Sequence, residues 1–304
     1  MQTTRALGPG AGWGWLKQAV HLGRHNPKAI FGAVALLALC ALLPSVVQLL
    51  LQYGLQLAPQ PSVTVVGTIT LLMIVLYPLL IGGLLRVIDA AEHGRPTHAT
   101  ALFDTFAAGH GGGRLIGFGV VISAIYIGAF VAVVAAFGPE LFDWYMQLLA
   151  VSTQPVPDNA AMTAAMAAMP AGLGTVMAFG TIAGLFFAGV YAIGFGQVAL
   201  GERSVAAALV DGVAGTLKNL LPIIVMAVIA VVALLLFAML VGGVMALLGA
   251  IGALVHPALS IALVLPVYLG MLLVLYMVMF GVMYFMWRDV CAPADAADPK
   301  QLLV

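Results

Sequence analysis

Residues that could do chemistry are scarce in this sequence of 304 residues, of which only 7% are charged. The motifs of common hydrolases are missing, since the sequence contains no Gly-x-Ser-x-Gly, no His-Glu-x-x-His and no Gly-x-Gly-Asp. Glycines surround His110 and are followed by Arg114, a pattern that could bind an anion through backbone amides. We interpret this run instead as a bend that leads into a helix. The sequence therefore predicts no catalytic residue and no cofactor, and we do not expect an enzyme.

Two groups of side chains have metal-ligand chemistry. They are a methionine series and a histidine-containing loop: Met162, Met166 and Met169, and Glu92, His93 and His98. Thioethers at this spacing suit Cu(I), but the same spacing fills any apolar helix face. The histidine-containing loop lacks a fourth ligand at a fixed spacing. We therefore predict no metal site, and copper binding at the methionine series is an alternative that the sequence leaves open.

The elements that carry these residues are apolar helices. Hydrophobic residues make up 63% of the sequence and the mean hydropathy is +1.15, which excludes a soluble domain. Charged residues are absent from four stretches, 29–85, 115–139, 159–201 and 219–287. About 20 apolar residues cross a membrane as a helix, so the first and last stretches hold two spans each. The sequence predicts six spans, near residues 30–51, 63–85, 115–137, 173–199, 220–248 and 259–285.

The predicted fold is an all-α polytopic membrane protein with three helical hairpins, each preceded by a short cytoplasmic amphipathic helix. Helix breakers predict the turns, with Pro59 and Pro61 in the first hairpin and Gly249, Gly252 and Pro257 in the last. We expect a single integral membrane domain over residues 1–304. Its parts are an amphipathic helix at 1–28, a first hairpin at 29–92, a second at 93–200 with a periplasmic segment at 138–170, a third at 201–287 and a cytoplasmic tail at 288–304.

Charge sets the expected orientation. On this topology all 11 Lys and Arg residues lie on one side of the membrane, whereas the opposite side carries acids such as Glu140 and Asp143. The positive-inside rule then places both termini in the cytoplasm of a bacterial inner membrane. The formal net charge of zero argues against a nucleic-acid partner.

An internal repeat is indicated by residues 94–109, which align with residues 201–216 so that Asp104 lies over Asp211. The segment that begins at Trp15 fits the same pattern more loosely. In two of the copies, Thr97 or Ser204 could cap the helix that follows. Three copies would suggest a pseudo-threefold arrangement of the hairpins.

Each copy of the repeat predicts an amphipathic helix at the membrane surface. In the first, Lys17, Arg24 and Lys28 share one face, where we expect anionic lipid to bind. In the second and third, apolar faces are expected opposite the acidic residues: Ala99, Leu102, Phe103 and Phe106 opposite Asp104, and Ala206, Leu209, Val210 and Val213 opposite Asp211.

Two sets of candidate functional residues result. Polar side chains in or beside the spans could line a path for a solute, and we select Tyr126, Tyr191, Gln197 and Tyr268. Charged residues near the cytoplasmic helix ends could join the hairpins as a latch: Arg86, Asp89, Asp104, Arg114 and Asp211. Within this set, Arg86 and Asp89 are three residues apart on one helix and are expected to pair.

Several short patterns accompany the six spans: Gly12, Trp13 and Trp15 in the first amphipathic helix, Pro78 and Gly83 in the second span, and Ala208, Leu209 and Asn219 in the third repeat. With these, the sequence resembles a group of uncharacterised six-pass bacterial inner-membrane proteins. That group is similar to the membrane domain attached to some glycerophosphodiester phosphodiesterases. The resemblance implies a fold and a location, and it implies no activity.

For function, the uncharged spans first favour a facilitative pathway for a small neutral or amphipathic molecule, such as a lipid. The alternative is a structural or accessory membrane protein that stabilises a partner complex or the envelope. Glycine stripes favour close helix contact within the fold, with a second copy or with another membrane protein: Gly180 and Gly184, and Gly242, Ala246 and Gly249.

Overall fold

A computed structural model describes residues 4–54, 59–152 and 159–292, and this part of the chain is helical, without a strand. Its α-helices are α1 (Ala11–Val20), α2 (Pro27–Leu49), α3 (Pro59–Glu92), α4 (Gly112–Phe137), α5 (Glu140–Ser152), α6 (Asn159–Ala167), α7 (Leu173–Ala199), α8 (Val205–Lys218), α9 (Leu220–Val255) and α10 (Pro257–Cys291). A π-helical turn, Leu50–Gly54, follows α2, and a 3-10 helix, Ala99–Phe106, precedes α4. The predicted tail from residue 293 and residues 153–158 of the predicted periplasmic segment lie outside the described residues.

Six of these helices are long and apolar enough to cross a membrane, namely α2, α3, α4, α7, α9 and α10. The predicted all-α class with six spans is therefore confirmed, and the chain is a multi-pass membrane protein. Backbone polar groups cannot bond to lipid, so helices that satisfy their own N–H and C=O groups are the expected solution for such a sequence.

The ends of the spans follow from local capping chemistry. Asn26 begins α2, because its Oδ1 accepts a hydrogen bond from the Ala29 amide at 3.2 Å. Of the three residues predicted to mark the last turn, Gly249 and Gly252 lie within α9, which continues to Val255, whereas Pro257 is the first residue of α10. The chain turns only at His256, whose Nδ1 accepts from the Ala258 amide at 3.1 Å. Glycine is tolerated inside a membrane helix, so these two glycines did not mark the turn.

The described chain divides into two compact units. The first unit contains residues 1–120 and 189–304, and the second contains residues 121–188. The boundary falls within α4 and within α7, so each of these helices contributes residues to both units.

The core of the first unit lies at one end of its long helices. Its largest fully buried side chains include Trp15, Phe118, Phe195 and Tyr284. In α3 the buried residues begin at Pro78, and in α10 they begin at Met277, so the opposite ends of both helices are uncovered. Helix α1 packs against α9 and α10, while α2 packs against α3, α10 and the 3-10 helix.

Glycines permit the closest approaches in this core. A Cβ atom on Gly83 of α3 would lie 1.9 Å from the carbonyl oxygen of Leu102, and one on Gly194 of α7 would lie 2.1 Å from the Phe118 ring. The first contact is with backbone, which cannot rotate away. These positions therefore require glycine because of packing, and not because of backbone conformation.

The second unit contains α5, α6 and the adjoining parts of α4 and α7. The ring pairs Tyr126–Phe187 and Phe137–Phe179, with centroids 5.5 Å and 4.6 Å apart, show that α4 and α7 run antiparallel here. Trp144 of α5 donates through Nε1 to the carbonyl of Ala165 at 2.9 Å and so fixes α5 against α6.

The segments predicted to be amphipathic differ from the expectation. In α8 the buried residues include Asp211, whereas Val210 is 67% exposed and Val213 and Leu217 are also exposed. Asp211, on the predicted polar face of α8, therefore points into the protein, whereas the valines of the predicted apolar face point outward. The reason is that Asp211 finds partners inside the protein, as described below, while the valines can face lipid at no cost.

The segment before α4 is a 3-10 helix and not an α-helix. Thr105 of this helix is buried and donates to the Leu79 carbonyl at 2.9 Å, whereas Phe103 and Phe106 are exposed. Of the two predicted caps, Ser204 accepts from the Ala207 amide at 3.4 Å, but Thr97 does not cap, since His98 holds the N-cap position.

The close approach at Gly83 gives a testable prediction. We expect Gly83→Ala to destabilise the protein by about 1–3 kcal/mol, because the added methyl would overlap the Leu102 backbone. The matched control in the same helix is Gly67→Ala, where a Cβ would meet nothing within 4 Å and where alanine is expected to be neutral or stabilising. Thermal unfolding in detergent measures both, and equal melting temperatures for the two variants would show that the contact is unimportant.

Candidate functional site: a buried polar layer

Polar side chains are buried at the packed end of the first unit. The fully or nearly fully buried ones are Thr105, Gln197, Asp211, Thr216, Asn219 and Asp289, and we call these six residues the polar layer. Burying a carboxylate or an amide is costly unless each polar atom finds a partner, so the partners of these residues decide what the layer can do.

Gln197 of α7 is 0% exposed and bonds at both ends of its amide. Its Nε2 donates to Asp211 Oδ2 at 2.7 Å, and its Oε1 accepts from Trp287 Nε1 at 3.3 Å. Arg203 donates through Nε to the same carboxylate oxygen at 3.1 Å. This chain of bonds joins α7, α8 and α10. Gly196 makes room for it, since a Cβ there would lie 2.1 Å from the Trp287 ring.

Asp289, near the end of α10, is the centre of a second group. It is 3% exposed and accepts from Trp15 Nε1 of α1 at 3.1 Å. Arg288 donates to its other oxygen at 3.0 Å and also donates to Gln18 Oε1 of α1 at 2.6 Å. Helix α1 is therefore tied to α10 by one neutral and one charged donor. Because the carboxylate is almost fully desolvated, these bonds are needed to offset its burial.

Asn219 lies between α8 and α9 and holds the N-terminal segment. Its Oδ1 accepts from the Leu7 amide at 2.9 Å, and its Nδ2 donates to the carbonyls of Arg5 and Gly215, each at 2.8 Å. Arg5 in turn donates from its backbone amide to the Val290 carbonyl at 2.9 Å. The residues before α1 are thus bonded to the ends of both α8 and α10.

Thr216 is the exception within the polar layer. Its Oγ1 is buried with no hydrogen-bond partner, and it lies 2.8 Å from the point where a Cβ on Gly189 would be. Apart from this hydroxyl, the buried polar side chains that the structure describes use their atoms for bonds within the chain.

The predicted latch residues are only partly brought together. Arg86 and Asp89 do not pair with each other: Arg86 donates to the Ala199 and His110 carbonyls at 3.0 Å and 2.9 Å, while Asp89 forms an ion pair with Arg95. Asp89 also accepts from the Tyr284 hydroxyl of α10 at 3.0 Å. Their alternative partners lie on other segments, which a three-residue spacing on one helix does not reveal.

The remaining latch candidates differ in how deeply their side chains are buried. Asp211 is 8% exposed and belongs to the polar layer, whereas Asp104 is exposed on the 3-10 helix. Arg114 donates to the Glu202 carbonyl, which joins the start of α4 to the turn before α8. The predicted repeat aligns Asp104 with Asp211, but only Asp211 is buried.

The predicted path-lining residues have different surroundings. Gln197 is occupied by the bonds described above, and the Tyr191 ring packs 4.6 Å from that of Phe195. Tyr268 of α10 is 39% exposed. Tyr126 belongs to the second unit and is 45% exposed. The path for a solute stays a prediction.

The structure also shows the surroundings of the residues that were considered for metal binding and for lipid binding. Over residues 4–54, 59–152 and 159–292, no group of three or more His, Cys, Asp or Glu side chains could hold a metal ion. Met166 and Met169 are exposed, and copper binding to their series stays a prediction. Lys17, Arg24 and Lys28 are exposed, and lipid binding there also stays a prediction.

Trp15, Asp289 and Asn219 were missed as site residues from sequence. Trp15 and Asn219 were noted only as parts of short patterns. A signal for Asp289 existed, since apart from the adjacent Arg288 its neighbours at the end of α10 are apolar, and an acid in such a place needs a partner. The partner itself, an indole 274 positions away, could not be read from the sequence.

Comparisons of the chain with protein-family models, with curated proteins and with solved structures found no match. The resemblance to the membrane domain of glycerophosphodiester phosphodiesterases is therefore a prediction. What the geometry supports is a polar layer whose hydrogen bonds connect α1, α7, α8 and α10 and the N-terminal segment.

The bond between Trp15 and Asp289 can be tested by removing the indole N–H. We expect Trp15→Phe to destabilise the protein by about 2 kcal/mol or more, because a buried carboxylate oxygen loses its donor and the ring becomes smaller. Trp13→Phe is the control on the same helix, and since Trp13 is 54% exposed its effect is expected within about 0.5 kcal/mol. Thermal unfolding of the two variants in detergent compares them, and an equal loss of stability would refute the role of this bond.

Proposed function

We propose that this protein is a structural or accessory membrane protein that associates with a second membrane-spanning chain. One observation carries the proposal: the first unit is held tightly at one end, while α9 is left uncovered over several consecutive turns. Residues 231–236 of α9 are all exposed, as are residues 238–240 and 242–244. Over these turns the exposed side of α9 makes little contact with the rest of its own chain, so this side is available for packing against another helix.

The buried polar groups support a structural role over a catalytic or translocating one. A group that acts on a substrate keeps a donor or acceptor available for it. In the polar layer, Gln197, Asp211, Asn219 and Asp289 are instead bonded within the chain. The layer therefore serves to hold helix ends together, and the uncovered part of the molecule is where a partner would bind.

The uncovered face of α9 has the composition that favours helix association in lipid. Gly242 and Gly243 lie within it, and a Cβ on either would meet nothing within 4 Å. Small residues let two helix backbones approach closely, and this contact replaces the hydrophobic effect as the source of affinity inside a membrane. We further propose a bacterial inner membrane with both termini in the cytoplasm, on the basis of the basic residues at one set of helix ends.

A facilitative pathway for a neutral or amphipathic molecule is the second candidate. The observation in its favour is a cleft of about 490 Å³ in the second unit, whose lining includes Phe137, Glu140 and Pro170. This cleft combines an apolar wall with a carboxylate, which suits an amphipathic molecule. Gln197 counts against this candidate, because it is fully buried and already bonded.

The mass of the particle extracted from its own membrane tests the proposal. We expect polymer-extracted native particles to contain at least one chain beyond the 31.4 kDa of this protein, as measured by native mass spectrometry. Gly243→Leu is expected to reduce the fraction of such particles by about tenfold, since a bulky side chain separates the helices. The matched control is Gly128→Leu in α4, where a Cβ also meets nothing within 4 Å.

The outcomes separate the two candidates. A single chain in wild-type particles would contradict the accessory role and leave the facilitative pathway as the better account. An equal loss of association in the Gly243→Leu and Gly128→Leu variants would show that α9 is not the contact surface.

A further inference from the structure

Arg86 joins a loop and a turn that are distant in sequence. From α3, its Nε donates to the Ala199 carbonyl at 3.0 Å, and its Nη2 donates to the His110 carbonyl at 2.9 Å. The guanidinium is part-buried, and neither acceptor carries a charge. It therefore lies between the loop that precedes α4 and the turn that follows α7.

Arg114 lies between the same two segments. Its Nη1 donates to the Glu202 carbonyl, one turn of chain beyond Ala199. Its Nη2 lies 3.0 Å from the point where a Cβ on Gly111 would be, so the guanidinium covers the residue that follows His110. Two cationic side chains, one from α3 and one from α4, are thus brought to the same pair of segments.

Neither of these two guanidiniums forms an ion pair with a carboxylate among the described residues. Three arginines make ion pairs with acids: Arg95 with Asp89, Arg203 with Asp211 and Arg288 with Asp289. Among the residues that the structure describes, neither Arg86 nor Arg114 has a carboxylate within 4.0 Å. The two acids whose charges act on Arg86, Glu202 and Asp104, are exposed on the surface, where water and salt screen their charge.

Hydrogen-bonding capacity remains on both side chains. A guanidinium has five N–H donors in a planar fork, and the contacts above engage two nitrogens of Arg86 and one of Arg114. Two such forks, bonded to the same loop and turn and close enough to repel each other, offer a phosphate group several N–H donors, and its oxygens can accept a pair of parallel bonds from each. An anion between them would also offset the repulsion of the like charges.

We propose that Arg86 and Arg114 together bind a phosphate group. Arg86 lies six residues before the end of α3 and Arg114 lies in the first turn of α4, so the pair is at the level of helix ends, where lipid headgroups lie. The phosphate belongs either to an anionic lipid or to a soluble phosphate compound. The inference does not depend on the proposed accessory function, since neither arginine belongs to the uncovered face of α9.

The test measures lipid and phosphate binding to the full-length protein. In nanodiscs of equal parts phosphatidylglycerol and phosphatidylcholine, we expect phosphatidylglycerol to remain bound to the wild-type chain in native mass spectra. Arg114→Gln is expected to weaken this binding about tenfold, which corresponds to the loss of one charge-assisted contact. The control Arg95→Gln removes the same charge from an arginine that is already paired, and it is expected to bind as the wild type does.

A second arm titrates inorganic phosphate into lipid-free protein in detergent and follows the melting temperature. Phosphatidylglycerol binding that Arg114→Gln weakens about tenfold identifies a lipid as the source. Stabilisation by phosphate that Arg114→Gln reduces, without phosphatidylglycerol enrichment, identifies a soluble compound. Binding of neither probe, or an equal loss in Arg95→Gln, would overturn the proposal.

A more conservative variant at the same position provides a second test of the proposal. If Arg114→Gln does not fold, Arg114→Lys keeps the positive charge but loses the planar fork, and it is expected to weaken binding of the same probe about tenfold. Unchanged binding in this variant would also overturn the proposal.

Discussion

The packed end of the first unit depends on two carboxylates that have almost no access to water, Asp211 and Asp289. A buried carboxylate is tolerated only when donors surround it, and each acid here takes one donor from another helix and one from an arginine near it in the sequence. Gln197 and Arg203 bond to Asp211, while Trp15 and Arg288 bond to Asp289. The need to satisfy two acids therefore fixes which helix ends must meet.

This requirement explains why the two ends of the long helices differ. In lipid there is no hydrophobic force that drives helices together, so packing and hydrogen bonds decide which parts are in contact. Where the polar layer lies, side chains of α7 and α10 are buried; farther along α9 and α10, polar groups are few and the surfaces are exposed. An uncovered apolar surface of this kind costs nothing in a membrane and is open to a second chain.

The class of fold could be predicted from the sequence because long charge-free stretches have one solution in lipid. Which side chains are buried in the shorter helices could not be predicted from the sequence. The apolar face of α8 was expected opposite Asp211, but the sequence did not show that Asp211 faces inward and Val210 outward, because the decisive partner, Gln197, lies on another helix. The alignment of Asp104 with Asp211 did not reveal burial either, because Asp211 is buried among its partners whereas Asp104 is exposed. Trp15 and Asp289 are far apart in the chain, so only the fold reveals their contact.

The coupling between Gln197 and Asp211 is the most direct measure of whether the polar layer holds these helices together. The measurement is a double-mutant cycle of Gln197→Leu, Asp211→Leu and the double variant, by reversible unfolding in mixed micelles. If the buried bond is required, the double variant is less destabilised than the sum of the single ones, with a coupling free energy of about 1–3 kcal/mol. Effects that add to within about 0.5 kcal/mol would contradict the account.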